Sequence, residues 1–187
     1  ELYFTYPPFT ALLLRPFASL PLGATIMIFT TLTVLAVVVT VQWLIARTSL
    51  SAADDRNSRP LWFLVGLAVP ATLVVESVRE TINFGQIGML LVALILADLL
   101  FAVPRGSRWA GVGVGLATAI KLYPGIFVIY LLASRRWRAG LTAGATALAA
   151  TLFAAALAPA DSWRFWTHEL WATGRVGRTA YTGNQSL

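Results

Sequence analysis

Between Leu22 and Ala46 the chain runs for 25 residues without a single charge. As a helix rising ~1.5 Å per residue, that stretch is about 37 Å long, enough to cross a bilayer with some tilt. Further apolar stretches follow at Leu61–Val75 (which contains Pro70), Ile87–Val103, 110–133 and Ala139–Ala158. Hydrophobic residues make up 58% of the 187 and charged residues 12%, a balance no soluble domain of this size needs. The expectation is an all-α, polytopic membrane protein. With no cysteine, disulfides and thiolate metal sites are excluded.

The net charge of +6 would suit a nucleic-acid binder, but its placement argues otherwise. All but one of the 14 basic residues are arginines, and many gather at the ends of the apolar spans. Arg47, Arg56 and Arg59 lie in one loop, Arg105 and Arg108 in the next, and Arg135, Arg136 and Arg138 in a third. Positive-inside anchoring accounts for that pattern and puts all three loops on the cytoplasmic side, with membrane lipids and no nucleic acid as partners. The chain begins at Glu1 with no recognisable signal peptide and ends in a polar segment. Residues 1–187 therefore read as an internal piece of a longer protein.

Three cytoplasmic loops conflict with a single crossing by residues 110–133. The conflict disappears if the segment enters and returns, turning at Lys121-Leu122-Tyr123-Pro124-Gly125. Pro-Gly is a turn signal, and a residue before proline avoids helical geometry. Each arm would hold about 11 residues, or roughly 16 Å, half a bilayer. The expectation is a short re-entrant helical hairpin with Lys121, the chain's only lysine, at its extracytoplasmic turn. An unpaired ammonium deep in a membrane costs about 3 kcal/mol or more, so such a residue marks a functional site or sits near the interface. A single kinked span with a snorkelling lysine is the competing reading. The hairpin topology gathers four polar segments on the extracytoplasmic side: the N-terminal residues, ESVRETINFGQ, the Lys121 turn and everything after Pro159.

Several residues are candidates for chemistry. Glu76 and Glu80 share a helix face, with Arg79 beside them. Paired carboxylates can act as base or metal ligand. An ion-pair cluster with Arg79 is the preferred reading, and no metal is assigned. Gly85-Gln86 offers an amide suited to sugar hydroxyls. Asp98, inside a span near its cytoplasmic end, is read as snorkelling toward Arg105 or Arg108. His168, the only histidine, lies in DSWRFWTHELWATGR, where Trp163, Trp166 and Trp171 recur at helical spacing. That pattern fits an interfacial amphipathic helix with tryptophans at headgroup level. His168 could donate to a phosphate or move a proton, or be a surface histidine without a role. Gly111 to Gly115 has the wrong spacing for a dinucleotide loop; with Gly140 to Gly144 it reads as close helix packing. Asn184-Gln185-Ser186 matches a glycosylation sequon, a weak pattern.

Four ordered segments carry a resemblance. They are Phe4-Thr5-Tyr6-Pro7-Pro8-Phe9, Phe84-Gly85-Gln86, Lys121-Leu122-Tyr123-Pro124-Gly125 with Arg135-Arg136-Trp137-Arg138, and Phe165-Trp166-Thr167 with Gly183-Asn184-Gln185-Ser186-Leu187. In this order the chain resembles the GT-C glycosyltransferases of family 87, the polyprenyl-phosphate-mannose-dependent α-1,2-mannosyltransferases of actinobacteria that extend phosphatidylinositol mannosides and lipomannan. The resemblance implies a GT-C-type helical bundle in the plasma membrane with an extracytoplasmic cleft. It implies inverting transfer of mannose from a polyprenyl-phosphate donor to a glycolipid acceptor hydroxyl, without a cofactor. A catalytic carboxylate is then expected upstream of residue 1, in the same transmembrane catalytic domain. Gly88 stands where the family often has Asn in Gly-Gln-x-Asn.

On this view Lys121 binds the donor phosphate, helped by Arg79, Arg175 and Arg178, with His168 a possible catalytic group. Tyr6, Gln86, Tyr123, Asn184 and Gln185 are candidate contacts for sugar or acceptor. The alternatives are a transporter or flippase of a lipid-linked sugar, which also needs a basic residue and broken helices, and a non-catalytic membrane scaffold.

Overall fold

The computed structural model describes residues 6–51, 60–83 and 85–172. The regular elements among these residues are all helical, with no strand. In chain order the helices are α1 (Pro8–Leu14), α2 (Leu22–Ser51), α3 (Leu61–Val74), α4 (Glu76–Asn83), α5 (Gly88–Ala97), α6 (Val112–Ile120), α7 (Gly125–Ala133), α8 (Trp137–Leu157) and α9 (Pro159–Thr167). Two are long and apolar enough to cross a membrane, α8 and the Leu22–Thr48 part of α2. The helices group into two units, one formed by Glu1–Pro16 and Trp109–Leu187, the other by Phe17–Arg108.

In the first unit α8 is the hub, and α1, α6, α7 and α9 all pack against it. Its inner face is small: Ala139, Gly140, Ala143, Ala150 and Ala154 are buried. Its outer face is large: Leu141 and Leu152 are 66% and 59% exposed. A water-soluble helix has the opposite pattern. Small-inside and large-outside is what lipid permits, because lipid tails solvate leucine and small residues let backbones approach. The approach is close enough to require glycine. A Cβ on Gly111 would lie 2.0 Å from the Ala139 carbonyl oxygen, and one on Gly115 would lie 2.4 Å from that of Ala143. Gly111 also has φ of +100°, a left-handed geometry that glycine adopts without penalty. The packing expected of these glycines is therefore present at Gly111, Gly115 and Gly140, which meets Leu132, but not at Gly144, which has open space around it.

In the second unit α2 packs against α3, α4 and α5. Its core is branched rather than small: Val37, Val41 and Val78, with Ile45, Leu73, Ile82 and Met89 against them. Helix α2 runs about a turn past the expected span, through Arg47 to Ser51, because nothing in Arg-Thr-Ser-Leu-Ser forbids helix. The Ile87–Val103 span is α5 followed by a π-helical turn over Asp98–Ala102. Leu91, Ile95 and Asp98 are all buried, so Asp98 continues the inward stripe of α5. Only 4% of Asp98 is exposed, which corrects the expectation that it snorkels. The Arg105 guanidinium donates to the Phe101 carbonyl at 3.3 Å and lies over the Phe101 ring. Arg47 approaches the same ring and donates to the Leu100 carbonyl.

Candidate functional site

The break expected at Lys121 is present. Helix α6 closes with the Lys121 N–H donating to Ala117. Lys121 itself is extended, at φ −147° and ψ 132°. The chain then turns, with the Gly125 N–H donating to the Leu122 carbonyl at 2.9 Å, and α7 begins behind a buried Pro124. A Cβ on Gly125 would stand 3.4 Å from the Thr118 methyl, an ordinary contact.

Two tyrosines frame the lysine. Its Nζ lies 5.2 Å from the centroid of the Tyr6 ring and 5.4 Å from that of Tyr123. Both distances are within the ~6 Å reach of a cation–π contact. Tyr6 comes from the far end of the sequence, and the two prolines after it hold it in place. A residue before proline is confined to extended backbone, and Pro8 then starts α1 as its first residue. Behind it Thr10 is fully buried, and its hydroxyl donates to the carbonyl of Ile120 at 2.5 Å.

The site lies in turns outside the helices and is partly shielded from water. Burial pushes the Lys121 ammonium below the ordinary lysine range. Burial, and then the neighbouring Tyr123, push the Tyr6 hydroxyl upward, and burial also raises Tyr123. Among the described residues no carboxylate lies within ion-pair distance of Lys121. Within that set its charge is met by aromatic faces. A half-buried cation with aromatic walls and no carboxylate beside it is suited to an anion that also carries apolar or sugar surface.

Of the residues expected to form a site, Tyr6, Lys121 and Tyr123 come together. Arg79 and Gln86 belong to the other unit. There Glu76 and Arg79 are exposed and Glu80 is half-buried, and no ion pair joins Arg79 to either carboxylate. The expected ion-pair cluster does not form, in keeping with how little exposed pairs gain. Gln86 is exposed, following Gly85 at φ +59°. A Cβ on Gly88 would meet the Thr81 side chain at an ordinary 3.6 Å, so the backbone there does not itself require glycine.

His168 is exposed at a bend. Helix α9 stops just before it, and a 3₁₀ turn, Glu169–Trp171, comes next. The single amphipathic helix expected through Trp171 is thus broken. The Arg164–Glu169 ion pair at 2.8 Å and the Trp171 indole, donating to the Trp166 carbonyl at 3.0 Å, fold the turn back on α9. The buried face of α9 is Ser162 and Phe165, and Trp163 is 73% exposed. Arg175, Arg178, Asn184 and Gln185 lie outside the described residues.

Thr10 is not among the candidates that the sequence supplies. The signal available is a lone hydroxyl in the apolar turn PFTALLL, one residue type that an apolar helix does not need.

A helical chain whose long helices present leucine outward, with a shielded cation at a turn, is of the kind that works at a membrane. Comparison with known proteins narrows the class. The sequence model for glycosyltransferase family 87 matches residues 4–187, and the chain belongs to that family. A polyprenol-phosphate-mannose-dependent α-(1-2)-phosphatidylinositol mannoside mannosyltransferase of Mycobacterium tuberculosis is 36% identical over 193 residues, covering 100% of this chain and 44% of that protein. Its namesake in Mycolicibacterium smegmatis is also 36% identical, over 195 residues, with 100% and 43% covered. A phosphatidylinositol pentamannoside mannosyltransferase of the latter organism is 30% identical, with 98% and 42% covered. The chain thus spans less than half the length of these relatives. No solved structure matches it significantly.

Proposed function

We propose that this chain is part of a mannosyltransferase that moves mannose from a polyprenyl-phosphate donor to a hydroxyl of a glycolipid acceptor, with inversion, on the extracytoplasmic face of the plasma membrane. The observation that carries the reading is Lys121, shielded between Tyr6 and Tyr123 with no carboxylate against it among the described residues. The names of the relatives supply the donor class.

In this reading residues 1–187 belong to one transmembrane catalytic domain of the GT-C type, crossing the membrane several times. Helices α6 and α7, of nine residues each, are each about 13 Å long, less than half of the hydrocarbon layer. They form a re-entrant hairpin whose corner presents Lys121 to the donor. The phosphate is the leaving group and gains charge as the sugar departs, so the ammonium stabilises the transition state more than the ground state. Arg79, Arg175, Arg178 and His168 are secondary candidates for the phosphate or for proton transfer. Tyr6, Tyr123, Gln86, Asn184 and Gln185 are candidates for sugar contacts. The base is assigned upstream of residue 1.

The test is mannose transfer from a labelled polyprenyl-phosphate-mannose donor by the full-length protein. A charge-assisted hydrogen bond contributes about 1.5–3 kcal/mol, and more where charge develops. Lys121→Ala should therefore lower kcat/KM by about ten- to a thousand-fold with the fold retained, through kcat as well as donor KM. Wild-type turnover with unchanged donor KM in Lys121→Ala would reduce the lysine to an interfacial anchor.

A further inference from the structure

The hydroxyl of Thr10 donates its hydrogen bond to a residue 110 positions away, at the last carbonyl of α6, one residue before Lys121. The Thr10 side chain has no water to turn to, being fully buried. The carbonyl it meets belongs to a helix end, where the last backbone acceptors have no intrahelical partner. The contact therefore joins two ends, the start of α1 and the finish of α6. On one side of it, four residues back, stands Tyr6; on the other, one residue on, stands Lys121. The 5.2 Å gap between the tyrosine ring and the ammonium is bridged by this bond on the backbone side.

The pieces around it are already stiff. Pro7 and Pro8 fix the approach to α1, and the Thr10 N–H donates to the Pro7 carbonyl at 2.9 Å. Buried Pro124 fixes the exit from the turn. Between these two ends lies the extended Lys121 residue. The Thr10–Ile120 bond closes that ring of contacts at the backbone immediately before the lysine.

We infer that Thr10 is a positioning residue for Lys121: its hydroxyl locks the end of α6 against α1 so that the ammonium stays between the two tyrosine faces, aimed at a phosphate. The inference rests on the reading of Lys121 as the donor-phosphate cation. In this role Thr10, buried against Ile120, needs no contact with a reactant. It acts by holding the lysine where the anion arrives, and misplacement of a charge by about 1 Å is enough to lose much of its effect.

The test measures mannose transfer by the full-length protein from a labelled polyprenyl-phosphate-mannose donor, with Thr10→Val, Thr10→Ser, Lys121→Met and the double variant Thr10→Val/Lys121→Met. Thr10→Val keeps the shape and removes the donor, and should raise donor KM about five- to thirty-fold with a smaller loss in kcat. Thr10→Ser restores the hydroxyl and should stay within about three-fold of wild type. In the Lys121→Met background Thr10→Val should change nothing beyond about two-fold, because the group it positions is gone. An equal loss from Thr10→Val in both backgrounds would assign the bond to the fold and overturn the inference. So would a Thr10→Val protein that does not accumulate folded, if Thr10→Cys, which keeps only a weak donor, folds and retains wild-type donor KM. If Lys121→Met itself turns over normally, the underlying reading of the lysine fails. If Lys121→Met is impaired and Thr10→Val is not, only the positioning role fails.

Discussion

The two units have different interiors. The first packs backbone on backbone, with Gly111 and Gly115 against the carbonyls of Ala139 and Ala143. The second packs branched side chains, Val37 and Val41 against Val78. Their polar corners differ in the same sense. The Lys121 corner encloses its charge between tyrosine rings, whereas Glu76 and Arg79 stand exposed on α4. The number of charges is thus a poor guide to a site. The Glu76–Gln86 segment has three charged residues and no ion pair between them. The Lys121 turn has one charge and a defined frame.

The sharpest way to break this contrast is at Gly111. Alanine there would combine left-handed strain with a clash against the Ala139 carbonyl, together costing about 3 kcal/mol or more. Gly111→Ala should remove most of the folded protein recovered in mild detergent, as judged by size-exclusion profile and thermal unfolding. Gly144→Ala in α8, with open space around it, should be neutral or stabilise by up to about 1 kcal/mol through helix propensity. Equal behaviour of the two variants would remove the case for tight packing in the first unit.

A smaller effect concerns pH. On the proposed role of Lys121, donor binding needs its ammonium form, and burial lowers its pKa. As pH rises, the proton leaves earlier than from an ordinary lysine, so donor KM should climb on the alkaline side, below the range where exposed lysines titrate. Lys121→Arg keeps its charge throughout and should lose that alkaline limb, while recovering only part of the activity because its planar fork presents the charge differently. A limb that persists in Lys121→Arg would point to another titrating group.

The smallest effect belongs to α4. Glu76→Gln and Glu80→Gln should each keep turnover within about ten-fold of wild type, measured by the same transfer assay. Loss by several orders of magnitude in either, with the fold intact, would place the base in the second unit and reverse the comparison.

Much of the fold is legible along the chain. Uncharged runs mark α2 and α8, and Pro-Gly marks the turn after Lys121, because both are local facts of length and backbone geometry. Tyr6 and Tyr123 are legible as candidates through the resemblance of the segments that contain them. What the sequence does not reveal is what depends on distant partners. Thr10 looks ordinary until Ile120 is beside it. The break at His168 comes with the Arg164–Glu169 pair and the Trp171–Trp166 hydrogen bond across it, and Asp98 is buried because it continues the stripe of Leu91 and Ile95. Adjacency misleads at Arg79, where neighbouring opposite charges do not pair.

The π-helical turn at Asp98–Ala102 works as a phase shifter. Its single wide turn carries one residue more than an α-helical turn would, so Phe101, near its end, is turned about the axis relative to an unbroken α-helix, and the helix stops there, with the chain in turns from Val103. Residues before the turn keep the inward register of α5, and Phe101 meets Arg47 and Trp43 on a heading that an unbroken α-helix would not supply. Sequence length in this segment is therefore a coordinate in its own right. Loss of one residue here would leave composition and hydrophobicity intact while turning the Phe101–Arg105 anchor to a different heading.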